Sequence, residues 1–274
     1  MSSILTNNSA MVALATLQNV NRGLNETQNR VSSGLSIRSG KENAAYFAIS
    51  QTMSSDSRMF TSINEGLTST KNSVATARLG AETVNDLSSQ FAERVAFSQG
   101  SGVNLADVQS ELDALTDQMQ LTIDQSTFNG DDLVGGAVAA QTAVTGISRA
   151  GGAFATTTIS FNSVDLQAIH TTLSAIDLTT SLDLEADLLT AEGALSDSID
   201  AATSLGVTEK TLESQQTFLT ALTDTIDSGV GSMVDANMEE EAARLQSYQV
   251  QQQLATQSLS IANQAPQNIL SLFR

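Results

Sequence analysis

Between Ile49 and Val95 the chain sets its apolar side chains at alternating intervals of four and three. The positions are Ile49, Met53, Asp56, Phe60, Ile63, Leu67, Thr70, Val74, Ala77, Ala81, Val84, Ser88, Phe91 and Val95, and eleven of the fourteen are apolar. A repeat averaging 3.5 residues draws a seam along one side of an α-helix, which a partner helix covers. No proline interrupts the run, so one helix can pass through all of it. At 1.5 Å per residue that helix reaches about 70 Å, longer than a compact domain of this size is across. The repeat therefore predicts a fold that is mainly α, an out-and-back bundle of long heptad helices resembling a coiled-coil rod, with room for one small β-hairpin region.

The same spacing returns on both sides. Ala10, Leu14, Leu17, Asn21, Leu24, Gln28, Val31 and Leu35 form an N-terminal heptad run with Asn21 and Gln28 in its seam. Polar seam residues lower stability and select register and partner. The stretch from Ser32 to Gly40 is rich in serine and glycine, a loop or a bend, and the long helix starts near Asn43 or Ala44 and stops at Gly100-Ser101-Gly102. Asn104 caps a third helix carrying Leu105, Val108, Leu112, Leu115, Met119 and Thr122. After it, Asn129-Gly130 marks a tight turn. Residues 134–163 change to Gly, Ala, Thr and Val, and predict a β-hairpin turning at Arg149-Ala150-Gly151-Gly152. A connector from Asn162 to Thr180 leads to a second long run from Leu188 to Met233, with ten of fourteen seam positions apolar and a break expected at Ser228–Gly231. The last helix carries Met238, Ala242, Leu245, Tyr248, Gln252, Ala255, Leu259 and Ala262, with Pro266 near its end.

Charge sorts these segments by environment. The 274 residues include 30 acidic and 12 basic side chains, a net −18. Residues 1–21 and 245–273 carry no charge, whereas residues 107–227 hold nineteen carboxylates against Arg149 and Lys210. Solvated faces carry charge, so the ends are expected to be buried in an assembly and the middle to face water. The ends are expected to be disordered in the free subunit, because one helix pair offsets too little ordering entropy. The acidic balance argues against nucleic acid and anionic membrane as partners, and no stretch is apolar for long enough to span a bilayer. No cysteine is present, which removes disulfides, thiolate catalysis and cysteine-ligated metal. The N-terminus lacks the basic and apolar regions of a secretory signal peptide.

Three stretches carry a family resemblance. Asn29-Arg30-Val31-Ser32-Ser33-Gly34-Leu35-Ser36-Ile37, Thr127-Phe128-Asn129-Gly130 and, above all, the segment from Ser258 through Pro266 to Arg274 resemble bacterial flagellin. The resemblance covers about residues 1–130 and 178–274 and implies a secreted structural subunit of the extracellular flagellar filament, giving motility, with no cofactor. It implies that residues 1–43 and 235–274 form a terminal coiled coil lining the filament channel. Residues 44–127 and 178–234 would then form a helical core, and residues 128–177 a hairpin and connector at the outer surface, with the large outer domains of many relatives absent. The assembly interface would comprise the two terminal seams named above, from Ala10 to Leu35 and from Met238 to Ala262, together with Ile269 and Phe273. The implied partners are further copies of the chain, other flagellins, the export apparatus, a flagellin chaperone, the filament cap and hook-associated proteins.

Two other readings are weighed. The hook–filament junction protein shares this architecture, and the close match at the C-terminus favours the filament subunit over it. An enzyme is the alternative from another class. A two-histidine zinc motif is impossible with His170 alone, and neither Gly135-Gly136 nor Gly151-Gly152 is followed by the residues of a phosphate loop. Glu239-Glu240-Glu241 reads as a charged first turn favoured by the helix dipole. The segment from Gln90 to Val95 resembles the patch of flagellins sensed by an innate immune receptor, but Phe91 and Glu93 stand where arginines are typical, so weak recognition is expected. Ser and Thr between residues 142 and 172 are expected to be open to O-glycosylation if the hairpin faces outward.

Overall fold

The computed structural model describes residues 7–149 and 154–272, the last eight of them, 265–272, by backbone alone. Six helices and two small sheets follow in the order α1 (Asn8–Ser33), α2 (Ala44–Ser98), α3 (Leu105–Gln125), β1 (Thr127–Phe128), β2 (Asp131–Asp132), β3 (Ala140–Ser148), β4 (Ala155–Asn162), α4 (Leu166–Ser174), α5 (Leu184–Val234) and α6 (Met238–Leu272). They divide into two compact units. Unit 1 holds the ends of the chain with the start of α2 and the end of α5, and unit 2 holds Ser57–Asp224.

Local chemistry sets the helix limits. The Asn7 side chain accepts the Ala10 amide at the start of α1, and Gly34 ends it with φ 73°, the left-handed conformation that glycine adopts without a Cβ penalty. Asn104 caps α3 by accepting the Ala106 amide. The Asn129-Gly130 turn has φ of 52° and 83°, and it closes β1 against β2, which makes a second two-stranded sheet beyond the single hairpin region expected. The larger hairpin pairs β3 with β4 antiparallel from Ala140↔Asn162 to Ser148↔Ala155, with a register shift between Val144 and Gly146. Three of its expected turn residues, 150–152, lie outside the described residues.

Two expectations are corrected. The connector from Asn162 to Thr180 contains α4, capped by the Asp165 side chain on the Ala168 amide and buried at Leu166, Ile169 and Leu173. The break expected at Ser228–Gly231 does not occur. Helix α5 runs through Gly229 and Gly231 to Val234, and the chain turns at residues 235–237 instead. A helix-interior glycine costs only about 1 kcal/mol, which the helical hydrogen bonds on either side outweigh. Likewise α6 continues past Pro266 to Leu272.

The core of unit 2 follows the seams. Phe60, Leu67, Val74, Ala77, Ala81, Val84, Ser88, Phe91 and Val95 of α2 are buried, as are Ala191, Ser198, Leu205, Leu212 and Leu219 of α5. The polar members of the seams are satisfied. The Ser88 hydroxyl donates to the Val84 carbonyl at 2.8 Å, and the Ser198 hydroxyl to the Leu195 carbonyl at 2.7 Å. Arg78 Nε reaches Glu209 Oε2 at 2.6 Å and its guanidinium also pairs with Glu82; hydrogen bonds to Glu209 and then Glu82 hold the arginine pKa above its ordinary value. The hairpin is tied to α5 by Gln215, whose amide donates to the Thr145 carbonyl at 3.0 Å.

Candidate functional site

Unit 1 lays α1 and α6 side by side and antiparallel. Asn7 donates to the Ala262 carbonyl at 2.7 Å, Gln252 donates to Asn21 at 2.7 Å, Arg30 pairs with Glu241 at 3.4 Å, and Leu35 bridges Asp235. At the bend end a backbone clasp closes the pair. The Ser36 amide donates to the Val234 carbonyl at 2.7 Å and the Ala236 amide to the Gly34 carbonyl at 2.8 Å. The Glu42 carboxyl, in the same bend, is held below its ordinary pKa by the Arg38 backbone amide and then by the Arg38 guanidinium.

On α6 the shielded positions are Glu241, Leu245, Tyr248, Gln252, Ala255, Leu259 and Ala262, of which Glu241 and Ala255 are buried. Met238 and Ala242, which the periodicity places on this seam, are exposed within the single chain. On α1, Leu24 is buried, Ala10, Leu17, Asn21 and Val31 are half-buried, and Leu35 is half-buried in the bend; Leu14 and Gln28 are exposed. Ala13, Val20 and Thr27 are shielded as well. A helix of 3.6 residues per turn drifts against a 3.5 repeat, so the shielded stripe widens to take in these neighbours while Leu14 and Gln28 turn outward. The side chain of Ile269 and the residue Phe273 lie outside the described residues.

Two contacts were not legible in the periodicity. Gly23 is the first. A Cβ at this position would stand 2.6 Å from Cζ of Tyr248, so the tyrosine ring occupies the notch that the missing side chain leaves. Gly23→Val is expected to force the helices apart at a cost of about 1–3 kcal/mol. The measurement is the critical concentration for seeded filament growth, which should rise several-fold, with partial recovery in Gly23→Val/Tyr248→Ala. The second is Glu241, read from sequence as one of three carboxylates in a first turn favoured by the helix dipole. It is buried against Arg30, and Arg244 lies at 3.8 Å from the same oxygen. The signal was Arg30 itself, which with Arg22 and Glu26 makes the bend half of α1 its charged half.

His170 lies on α4 with a ring nitrogen 3.3 Å from the Gln167 amide. Among the described residues no group of three or more His, Asp or Glu could hold a metal ion, and no helix is long and apolar enough to cross a membrane. In the segment like the immune-sensed patch, Phe91 and Val95 are buried in the core and Arg94 pairs with Glu111 at 3.1 Å.

Comparison with known proteins defines the class. The model of the bacterial flagellin N-terminal helical region matches residues 4–139, and that of the bacterial flagellin C-terminal helical region matches residues 188–273. A flagellin of Brucella melitensis biotype 1 is 34% identical over 281 aligned residues, covering 100% of both chains. Flagellin FljK of Caulobacter vibrioides is 32% identical over 277, covering 100% of this chain and 99% of its own length. Flagellin C of Rhizobium meliloti is 31% identical over 320, covering 100% of both. This chain belongs to the bacterial flagellin family, the structural subunits of the flagellar filament. Nothing in these matches favours the hook–filament junction alternative.

Proposed function

We propose that the chain polymerises through its paired terminal helices, which line the channel of the filament, and that its role is structural rather than enzymatic. The observation that carries this reading is exposed apolar surface on the pair itself. Met11, Val12 and Leu14 of α1 and Val250, Leu254 and Ile261 of α6 all lie open in the single chain. They sit within segments 1–21 and 245–273, which carry no charge. Exposed apolar side chains gathered in uncharged segments mark an interface, and a helical polymer supplies one by repeating a contact between unlike faces. On this reading Ala10, Leu17, Leu24, Val31, Leu245, Tyr248, Ala255, Leu259 and Ala262 hold the pair together, while Leu14, Met238 and Ala242 meet neighbouring copies. The subunit leaves the cell through the flagellar export apparatus with a flagellin chaperone, and it adds to an extracellular filament beneath a cap and beyond the hook-associated proteins.

Limited proteolysis tests the proposal. In the monomer the pair buries few side chains against the ordering entropy of two long helices. Protease is expected to trim roughly the first and last forty residues and leave unit 2 intact, and the same ends should resist cleavage in seeded filaments. Equal resistance of ends and middle in both states would overturn the reading.

A further inference from the structure

We propose that Met11 is a site of reversible oxidation that gates assembly. A hydroperoxide converts its thioether to a sulfoxide in the free subunit, and the oxidised chain does not add to a filament; the proposal rests on the reading that the terminal helices polymerise. The chain has no cysteine, so its sulfur lies in seven methionines. Six of them are among the described residues, and they differ in access. Met119 is buried in α3, Met53 packs over Gly229 and is half-buried, and so are Met59 and Met233. Met11 is 63% exposed and Met238 46%. A thioether has no proton to lose, so its oxidation follows access to the sulfur. Among the described residues the two open sulfurs therefore lie on α1 and α6, the helices that carry the assembly surface.

The reaction needs hydrogen peroxide and nothing else. A sulfur lone pair attacks one peroxide oxygen, and the O–O bond breaks as the S–O bond forms. The leaving hydroxide takes the proton from the transferred oxygen and departs as water, so sulfur is oxidised and peroxide reduced. The product turns an apolar side chain into a polar one. Val12 and Leu14 beside Met11 are exposed and apolar, and residues 1–21 and 245–273 contain no Lys or Arg to receive the new oxygen. A buried acceptor without a donor is penalised, whereas the same acceptor in water is satisfied. The penalty therefore falls on the polymer and spares the monomer. Met238 differs, because it opens α6 beside Glu239, Glu240 and Glu241, in a charged turn where an added oxygen stays hydrated. Met11 carries the effect, and packing in the filament closes the window by covering its sulfur.

Dilute hydrogen peroxide applied to the full-length monomer, then removed with catalase, tests the inference. Peptide mass mapping should show an added oxygen at Met11 while Met119 stays reduced. The critical concentration for elongation on wild-type seeds should rise about tenfold or more, with the monomer melting within about 2 °C of the untreated chain. Methionine sulfoxide reductase should restore growth. Met11→Leu conserves volume and should grow after peroxide as it does before, whereas Met238→Leu should stay as sensitive as wild type. Met11→Gln is the second variant should Met11→Leu grow poorly, and it should raise the critical concentration without any peroxide. In preassembled filaments Met11 should oxidise about tenfold more slowly than in the monomer. Growth of the oxidised chain at the untreated rate, or growth that the reductase does not restore, overturns the gate. Loss of growth by peroxide-treated Met11→Leu overturns Met11 as its site, and equal oxidation of monomer and filament overturns its covering in the polymer. A Leu14→Asp chain that does not grow beside an oxidised wild-type chain that does would remove this inference and leave the terminal-helix reading standing.

Discussion

Replacing Leu14 by Asp is expected to stop seeded growth at concentrations where the wild-type chain elongates, and to leave the melting of the monomer unchanged. Leu14 is 45% exposed in the single chain, on a helix whose first fourteen residues carry no charge. A carboxylate there stays hydrated in the monomer and costs it nothing. Between packed copies, an unpaired buried carboxylate costs several kcal/mol even after relaxation. Each 1.4 kcal/mol is tenfold in an association constant, so the critical concentration should rise about a hundredfold or more. Leu259→Asp should act in the same direction, with some loss of the α1–α6 pair as well, because Leu259 is half-buried within the chain. Normal growth by Leu14→Asp would remove the buried-termini model, and a large fall in monomer melting temperature would mean that α1 belongs to the folded core.

The opposite pattern is expected at Phe91. Its ring is 1% exposed at the end of the α2 seam, and Phe91→Ala removes a large side chain where the surrounding helices cannot close in. Such changes cost about 3–5 kcal/mol. In a unit of this size each 1 kcal/mol shifts the melting temperature by about 2–4 °C, so a fall of about 10 °C or more should appear in calorimetry of the monomer. At a temperature where the variant remains folded, its growth on wild-type seeds should be close to normal, because Phe91 faces the core of unit 2. A variant that melts like wild type would show that the α2 seam does not carry the stability of this unit.

The seam positions from Phe60 to Val95, the bend at Gly34 and the cap at Asn104 were legible because each acts locally. A period of 3.5 marks one face of one helix, a short polar side chain satisfies the first amides, and a glycine accepts positive φ. Helix α4 was less legible. Its three buried residues cover barely two turns, too few to stand out from an irregular connector, although Asp165 followed by Leu166, Ile169 and Leu173 was a signal in retrospect. The family segment from Ser258 to Arg274 spoke to identity without saying which side chains touch.

From its sequence alone the chain is committed to long helices with apolar seams, to uncharged ends on an acidic body, to an Asn-Gly turn and a threonine-rich hairpin, and to the flagellin family. Only the tertiary structure decided that Ala13, Val20 and Thr27 join the shielded stripe of α1 while Leu14 and Gln28 turn outward, that Tyr248 fills the notch at Gly23 and that Glu241 is buried on Arg30. It alone carried α5 through Gly229 to Val234. Periodicity records which face of a helix is apolar. The rotation of that face, and whether anything lies against it, depend on how two particular helices approach, and that is settled by packing between residues more than two hundred positions apart, such as Gly23 and Tyr248.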